Sequence, residues 1–186
     1  AFEAVEFSWE DYLEITDIDV SFRPRVDYWL DTEQFLAASK DDDLNVLLEK
    51  TTLYCGELLP GFFEEWVHSE RDRFHAAYHQ QMDVLLEKLL KDAHYHQAVN
   101  CSEQWIRQGY SPEPAFRAMM YAYAGLGDQA MVSATYQRCI EALDRELGLD
   151  PSPETRALYD QICWGSAETH PARSTKIQST EKCSPD

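Results

Sequence analysis

The sequence predicts an all-α stack of antiparallel helical hairpins, about seven helices with a short N-terminal β-hairpin in front. Three observations predict this fold. Glycine and proline are scarce, 7 and 8 among 186 residues, whereas sandwiches and barrels need many turns. Residues 64–92 contain neither, and Val67, Phe74, Tyr78, Met82, Leu85 and Leu89 trace one face of that run, about eight turns at 3.6 residues each. Two turn segments with small residues in matching places recur at a fixed spacing further along.

Each element has its own signal. Residues 12–16 and 20–22 carry β-branched and aromatic side chains around Asp17-Ile18-Asp19, the pattern of a short hairpin. After Pro24 the pattern becomes helical, with Asp31 as N-cap, Glu33 in the first turn and Phe35 and Leu36 on the apolar stripe. Leu44, Leu47, Leu48 and Leu53 recur near the helical period, and Gly56 closes this second helix before Glu57-Leu58-Leu59-Pro60-Gly61. The long helix follows, then a fourth over 96–108 ended by Gly109. Ser111-Pro112-Glu113 opens a fifth, with Ser as cap and Pro at the first helical position, which runs to Leu126 before Gly127. The sixth spans 128–147 and stops at Gly148; Ser152-Pro153-Glu154 starts the seventh, which ends near Trp164 and Gly165. The remainder is Ser-, Thr- and Pro-rich with mixed charge. Three segments result: 1–30 with the hairpin, 31–164 helical, and a disordered tail over 165–186.

Composition excludes several classes. The net charge is −18, and residues 1–50 alone hold 14 acidic against 4 basic residues. DNA affinity depends on phosphate neutralisation by Lys and Arg, so this chain should bind nucleic acid poorly. No apolar run approaches the roughly 20 residues that cross a bilayer, and the acidic N-terminus has no signal-peptide core. Five cysteines, an odd number without a CxxC pair, suit a reducing compartment better than a disulfide framework. A cytoplasmic location is therefore expected, and the start at Ala1 suggests a fragment.

The repeat specifies the architecture. Ala93 and Gly127 open equivalent turn segments 34 residues apart, each with a small residue five positions later, Ala98 and Val132. That is the tetratricopeptide period. A small residue lets the two helices turn tightly, and the second lets them pack closely, while Tyr95 and Tyr136 supply aromatic packing nearby. The bland alternative is two unrelated hairpins with a shared spacing. Stacked hairpins leave a concave side that usually binds peptides or proteins.

Three stretches together resemble a known family. They are Leu53-Tyr54-Cys55-Gly56-Glu57-Leu58-Leu59-Pro60-Gly61-Phe62 with Glu65-Trp66-Val67 and Glu70-Arg71; the repeat; and the run from Glu146 through Gly148, Pro151, Ser152, Pro153, Thr155 and Arg156 to Tyr159. The chain resembles the bacterial transcriptional activator domain over about residues 30–164, the tetratricopeptide-like domain that follows a winged helix in the Streptomyces antibiotic regulatory protein family and relatives. Residues 12–31 look like the junction after the last winged-helix hairpin, yet no helix-turn-helix precedes them. The resemblance implies a transcription regulator's interaction and dimerisation domain. Its partners would be a second copy, RNA polymerase or a neighbouring domain, with DNA reached only through a winged helix outside this chain and no membrane contact.

Candidate chemistry is sparse. His68, Asp72, His75 and His79 form one stripe of the long helix, and imidazoles one turn apart can share a zinc ion. The glutamate of HExxH is missing, and the stripe lies about 100° from the apolar face, as ordinary solvated histidines would. Cys139 reads as a packed, inert thiol, and Gly125-Leu126-Gly127 lacks the surroundings of a phosphate loop. Trp66, Trp105, Tyr121, Tyr123 and Tyr136 line either a pocket or, more simply, the core. Asp41-Asp42-Asp43 reads as a solvated cap region. No catalytic residue, cofactor or established metal site is assigned, so no enzyme activity is expected; His75, His79, Tyr121 and Tyr123 are the partner-binding candidates. Two readings compete: a ligand- or peptide-sensing helical module that controls an attached effector, and a metal-dependent hydrolase built on His68, His75 and His79.

Overall fold

The computed structural model describes residues 9–23, 28–109 and 112–165. A 3-10 turn, Trp9–Asp11, leads into strands β1 (Leu13–Ile15) and β2 (Val20–Phe22), paired antiparallel with Leu13 opposite Phe22. Thr16 closes their turn: its Oγ1 accepts the Asp19 amide at 3.0 Å, and its own amide donates to the Asp19 carbonyl at 2.8 Å. Seven helices follow among the described residues: α1 (Asp31–Leu36), α2 (Leu44–Thr52), α3 (Glu65–Lys91), α4 (Tyr95–Arg107), α5 (Glu113–Gly125), α6 (Gln129–Leu147) and α7 (Pro153–Gly165). The fold is all-α with a short hairpin in front, as the sequence indicates. The tail expected beyond Gly165 lies outside the described residues.

Three helix ends are closed by a capping aspartate or a glycine, and three expected caps depart from the sequence signals. Asp43 caps α2 by accepting the Val46 amide at 2.9 Å, Asp128 caps α6 by accepting the Met131 amide at 3.0 Å, and Gly148 ends α6 in the left-handed conformation that glycine adopts freely. Asp31, however, is the first residue of α1 and not its cap. Leu30 holds that position, and Asp31 Oδ1 reaches only the Thr32 amide. Gly56 does not close α2, which stops at Thr52 with Leu53 as its cap. The cap of α5 is Pro112, with Pro114 in the first turn; the expected Ser111 cap lies outside the described residues.

The core is organised around α3. Phe74, Tyr78, Met82, Leu85 and Leu89 are buried against Phe35 of α1, Leu47 of α2, Ala98 and Trp105 of α4, and Ala115, Ala118 and Ala122 of α5. Burying each such large side chain stabilises by about 1.5–3 kcal/mol. A smaller cluster, Phe116 with Cys139, Ala142 and Leu143, joins α5 to α6.

The repeat has a backbone explanation. Ala93 (φ +57°) and Gly127 (φ +76°) are both left-handed. After each, the next amide reaches back over the turn: His94 to the Leu89 carbonyl at 2.8 Å and Asp128 to the Tyr123 carbonyl at 2.9 Å. These are equivalent Schellman-type closures. Ala98 and Val132, five positions on, are both fully buried. Tyr95 lies against Gly125 so closely that a Cβ there would come within 2.6 Å of the Tyr95 Cε2 atom. Tyr136 stacks on Tyr159 at 4.0 Å, linking α6 to α7.

Candidate functional site

The histidine stripe of α3 divides into two halves. His68 and Asp72 are exposed, whereas His75 and His79 are half-buried. His79 meets the Trp105 ring edge-on at 5.1 Å, and its Nε2 lies 3.0 Å from His75 Nε2. One ring therefore donates to the other. Burial and the neighbouring His75 both lower the His79 pKa, so that pair is tucked beneath α4 and not freely solvated. His68, Asp72 and His75 also line a 470 Å³ cleft with Arg71, Gln108 and Glu57. Among the described residues, no group of three or more His, Cys, Asp or Glu side chains converges on one point.

The four partner-binding candidates do not form one surface. Tyr121 lines a shallow groove with Asp83, Glu87, Arg117 and Leu158, between α3, α5 and α7. Tyr123 lies in a separate cleft with His96, Asn100 and Asp128. Two residues apart on a helix means about 200° of rotation, which is why the pair separates. The aromatics also part company: Trp105 is buried in the core, Tyr136 is half-buried, and Trp66 and Tyr121 are exposed.

The α2–α3 loop carries two aromatics that sequence reasoning missed, Phe62 and Phe63, next to Trp66 in the first turn of α3. Phe62, Phe63 and Trp66 are 51%, 79% and 58% exposed. The backbone of the loop that carries the first two is fastened by Arg71. Arg71 Nε donates to the Leu58 carbonyl at 2.8 Å, and Nη2 donates to those of Leu59 at 2.7 Å and Phe62 at 3.0 Å. Nη1 pairs with Glu57 at 3.0 Å. One guanidinium fork thus holds a loop in which Leu59 is left-handed at φ +48°. These are the residues of the first familiar stretch, so that motif is a single fastened unit.

The third stretch is fastened in the same manner. Glu113, at the start of α5, accepts the Ser152 amide at 2.9 Å, the Ser152 hydroxyl at 2.7 Å and the Thr155 hydroxyl. Arg117 Nη1 donates to Thr155 Oγ1 at 3.1 Å. Burial pushes the Glu113 carboxyl up, but the bonds from Thr155 and Ser152 and the charge of Arg117 outweigh it, leaving its pKa below the ordinary value. The start of α7 is thereby locked to α5.

Cys139 is fully buried, and burial drives its thiol pKa up to about 12, so it is no nucleophile. Asp42, in the acidic run, is drawn into structure by Lys50 at 2.8 Å and the Ser39 amide at 2.9 Å; only Asp43 acts as a cap. A 430 Å³ cavity between α1, the α2–α3 loop and α3 is lined by residues that include Phe35, Leu53, Tyr54, Leu58 and Phe74. No described helix is long and apolar enough to cross a membrane. The model of the family described as the bacterial transcriptional activator domain matches residues 37–163. No curated protein matches the chain.

Proposed function

Because this chain belongs to the bacterial transcriptional activator domain family, a regulatory and not an enzymatic family, we propose that it is the protein-interaction and self-association module of a transcription regulator of the Streptomyces antibiotic regulatory type. The observation that carries this reading is the exposure of Phe62, Phe63 and Trp66 beside a loop whose Leu58, Leu59 and Phe62 carbonyls are held by Arg71. Exposed aromatics on a fixed scaffold are the usual energetic centres of protein interfaces. A loop whose backbone is already held by hydrogen bonds has less entropy to lose when a partner binds. The hairpin of β1 and β2 would be what remains of a winged helix, RNA polymerase or a neighbouring domain would be further partners, and the cytoplasm would be the compartment.

Self-association has a characteristic salt dependence in this account. Glu64 and Glu65 flank the aromatics, and a two-fold contact sets identical patches against each other. Like charges then oppose the apolar gain, and added salt screens them. Light scattering from 5 to 500 μM should show mass rising with concentration, more steeply at high salt, with the rise lost in Phe63→Ser or Trp66→Ser. A constant monomer mass under all conditions removes self-association from the account.

A ligand-sensing role is favoured by one feature, the largely apolar 430 Å³ cavity beside Tyr54 and the clamped loop, which falls within the size range of small-molecule sites. A small apolar compound seated there should raise the thermal midpoint, since it would bind only the folded state. A Phe74→Trp variant, which fills the cavity, should lose that response.

A further inference from the structure

We propose that His75 and His79 form a two-nitrogen chelate for a late first-row divalent ion, Ni²⁺ or Cu²⁺, on the α4-facing side of α3. Their Nε2 atoms are 3.0 Å apart. That contact already turns both Nε2 atoms toward one point, and for a given set of nitrogen donors the affinity for divalent ions rises to Ni²⁺ and Cu²⁺.

The surroundings prepare the pair for this role. The spacing of four along α3 places both rings on one stripe. Trp105 packs against the His79 ring, and both rings are half-buried, so little side-chain entropy remains to be lost on binding. In the empty pair, one Nε2 carries the shared proton; on binding, that ring shifts to its Nδ1–H form and no net proton is released from a neutral pair. With no third protein donor converging among the described residues, water fills the other coordination positions. The chain as a whole carries a net charge of −18, which concentrates cations around it.

Isothermal titration of the intact chain with NiCl₂ at pH 7.5 tests the proposal, with His68→Ala as a control. The expected result is one saturable equivalent, weakened at least tenfold in His75→Ala and in His79→Ala and unchanged in His68→Ala. ZnCl₂ should bind more weakly than NiCl₂, and affinity should fall at pH 5.5. Should His79→Ala unfold because of its Trp105 contact, His75→Ala and His75→Gln decide the matter, checked by the nitrogen splitting of bound Cu²⁺ in electron paramagnetic resonance. Absence of saturable binding overturns the proposal. So does binding that survives loss of His75, binding that depends equally on His68, or a preference for zinc.

Discussion

Replacing Arg71 with Met removes the guanidinium fork and keeps most of the apolar stem. The Arg71 side chain is 13% exposed and Glu57 is 59% exposed, so the carbonyl bonds matter more than the ion pair. Hydrogen bonds to a charged donor contribute about 1.5–3 kcal/mol each when buried. Leu59 and Phe62 are exposed, and their carbonyls can rehydrate, which brings the value down to about 1 kcal/mol for each of the three. The exposed Glu57 pair adds about 0–1 kcal/mol after screening. The variant should therefore lose about 3 kcal/mol, lowering the thermal midpoint by roughly 6–12 °C for a domain of this size. Urea and thermal unfolding followed by circular dichroism at 222 nm measure it. Arg71→Lys separates geometry from charge. A lysine keeps the charge but cannot span three carbonyls, so it should recover less than half of the loss. A shift under 2 °C in Arg71→Met, or full recovery by lysine, refutes the clamp.

Three further outcomes follow from particular residues. Ala93 sits at φ +57°, so Ala93→Gly should stabilise by about 1 kcal/mol while Gly127→Ala destabilises by about the same, read from urea midpoints; if both move in one direction, the two turns are not equivalent. Glu113 has a folded-state pKa below its ordinary value, so its contribution is fully present above the unfolded value of about 4.3 and disappears as pH falls through the folded value. The stability gap between the natural chain and Glu113→Gln should accordingly be largest at pH 7 and shrink steadily below about pH 5; a gap that stays constant down to pH 3 contradicts the assignment. Cys139, buried with its pKa up to about 12, should resist thiol reagents at pH 8 until urea unfolds the chain, whereas exposed Cys55 reacts at once.

The helical framework was legible because its causes are local. The apolar face of α3 is written at helical spacing, Asp43, Asp128 and Gly148 announce their ends, and the 34-residue spacing of Ala93 and Gly127 marks two left-handed turns. Asp31 misled because an Asp before an apolar stripe suits either the cap or the first turn, and only backbone geometry separates them. The family resemblance pointed to the right residues without giving the reason for them. Arg71 works on backbone carbonyls, which leave no trace in side-chain patterns, and Glu113 reaches 39 residues ahead to Ser152. The surface was least legible. Phe62 and Phe63 have the composition of core residues, and only the clamped loop turns them outward. Tyr121 and Tyr123 were both partner-binding candidates, and two steps on a helix send them to separate clefts.

Hydrogen–deuterium exchange at 5 and 500 μM probes the proposed association surface directly. Self-association through the clamped aromatics predicts slower exchange at high concentration in peptides covering residues 58–67, with the interior of α4 and α5 unchanged. Identical exchange at both concentrations, or protection that gathers elsewhere and bypasses Phe62, Phe63 and Trp66, contradicts it.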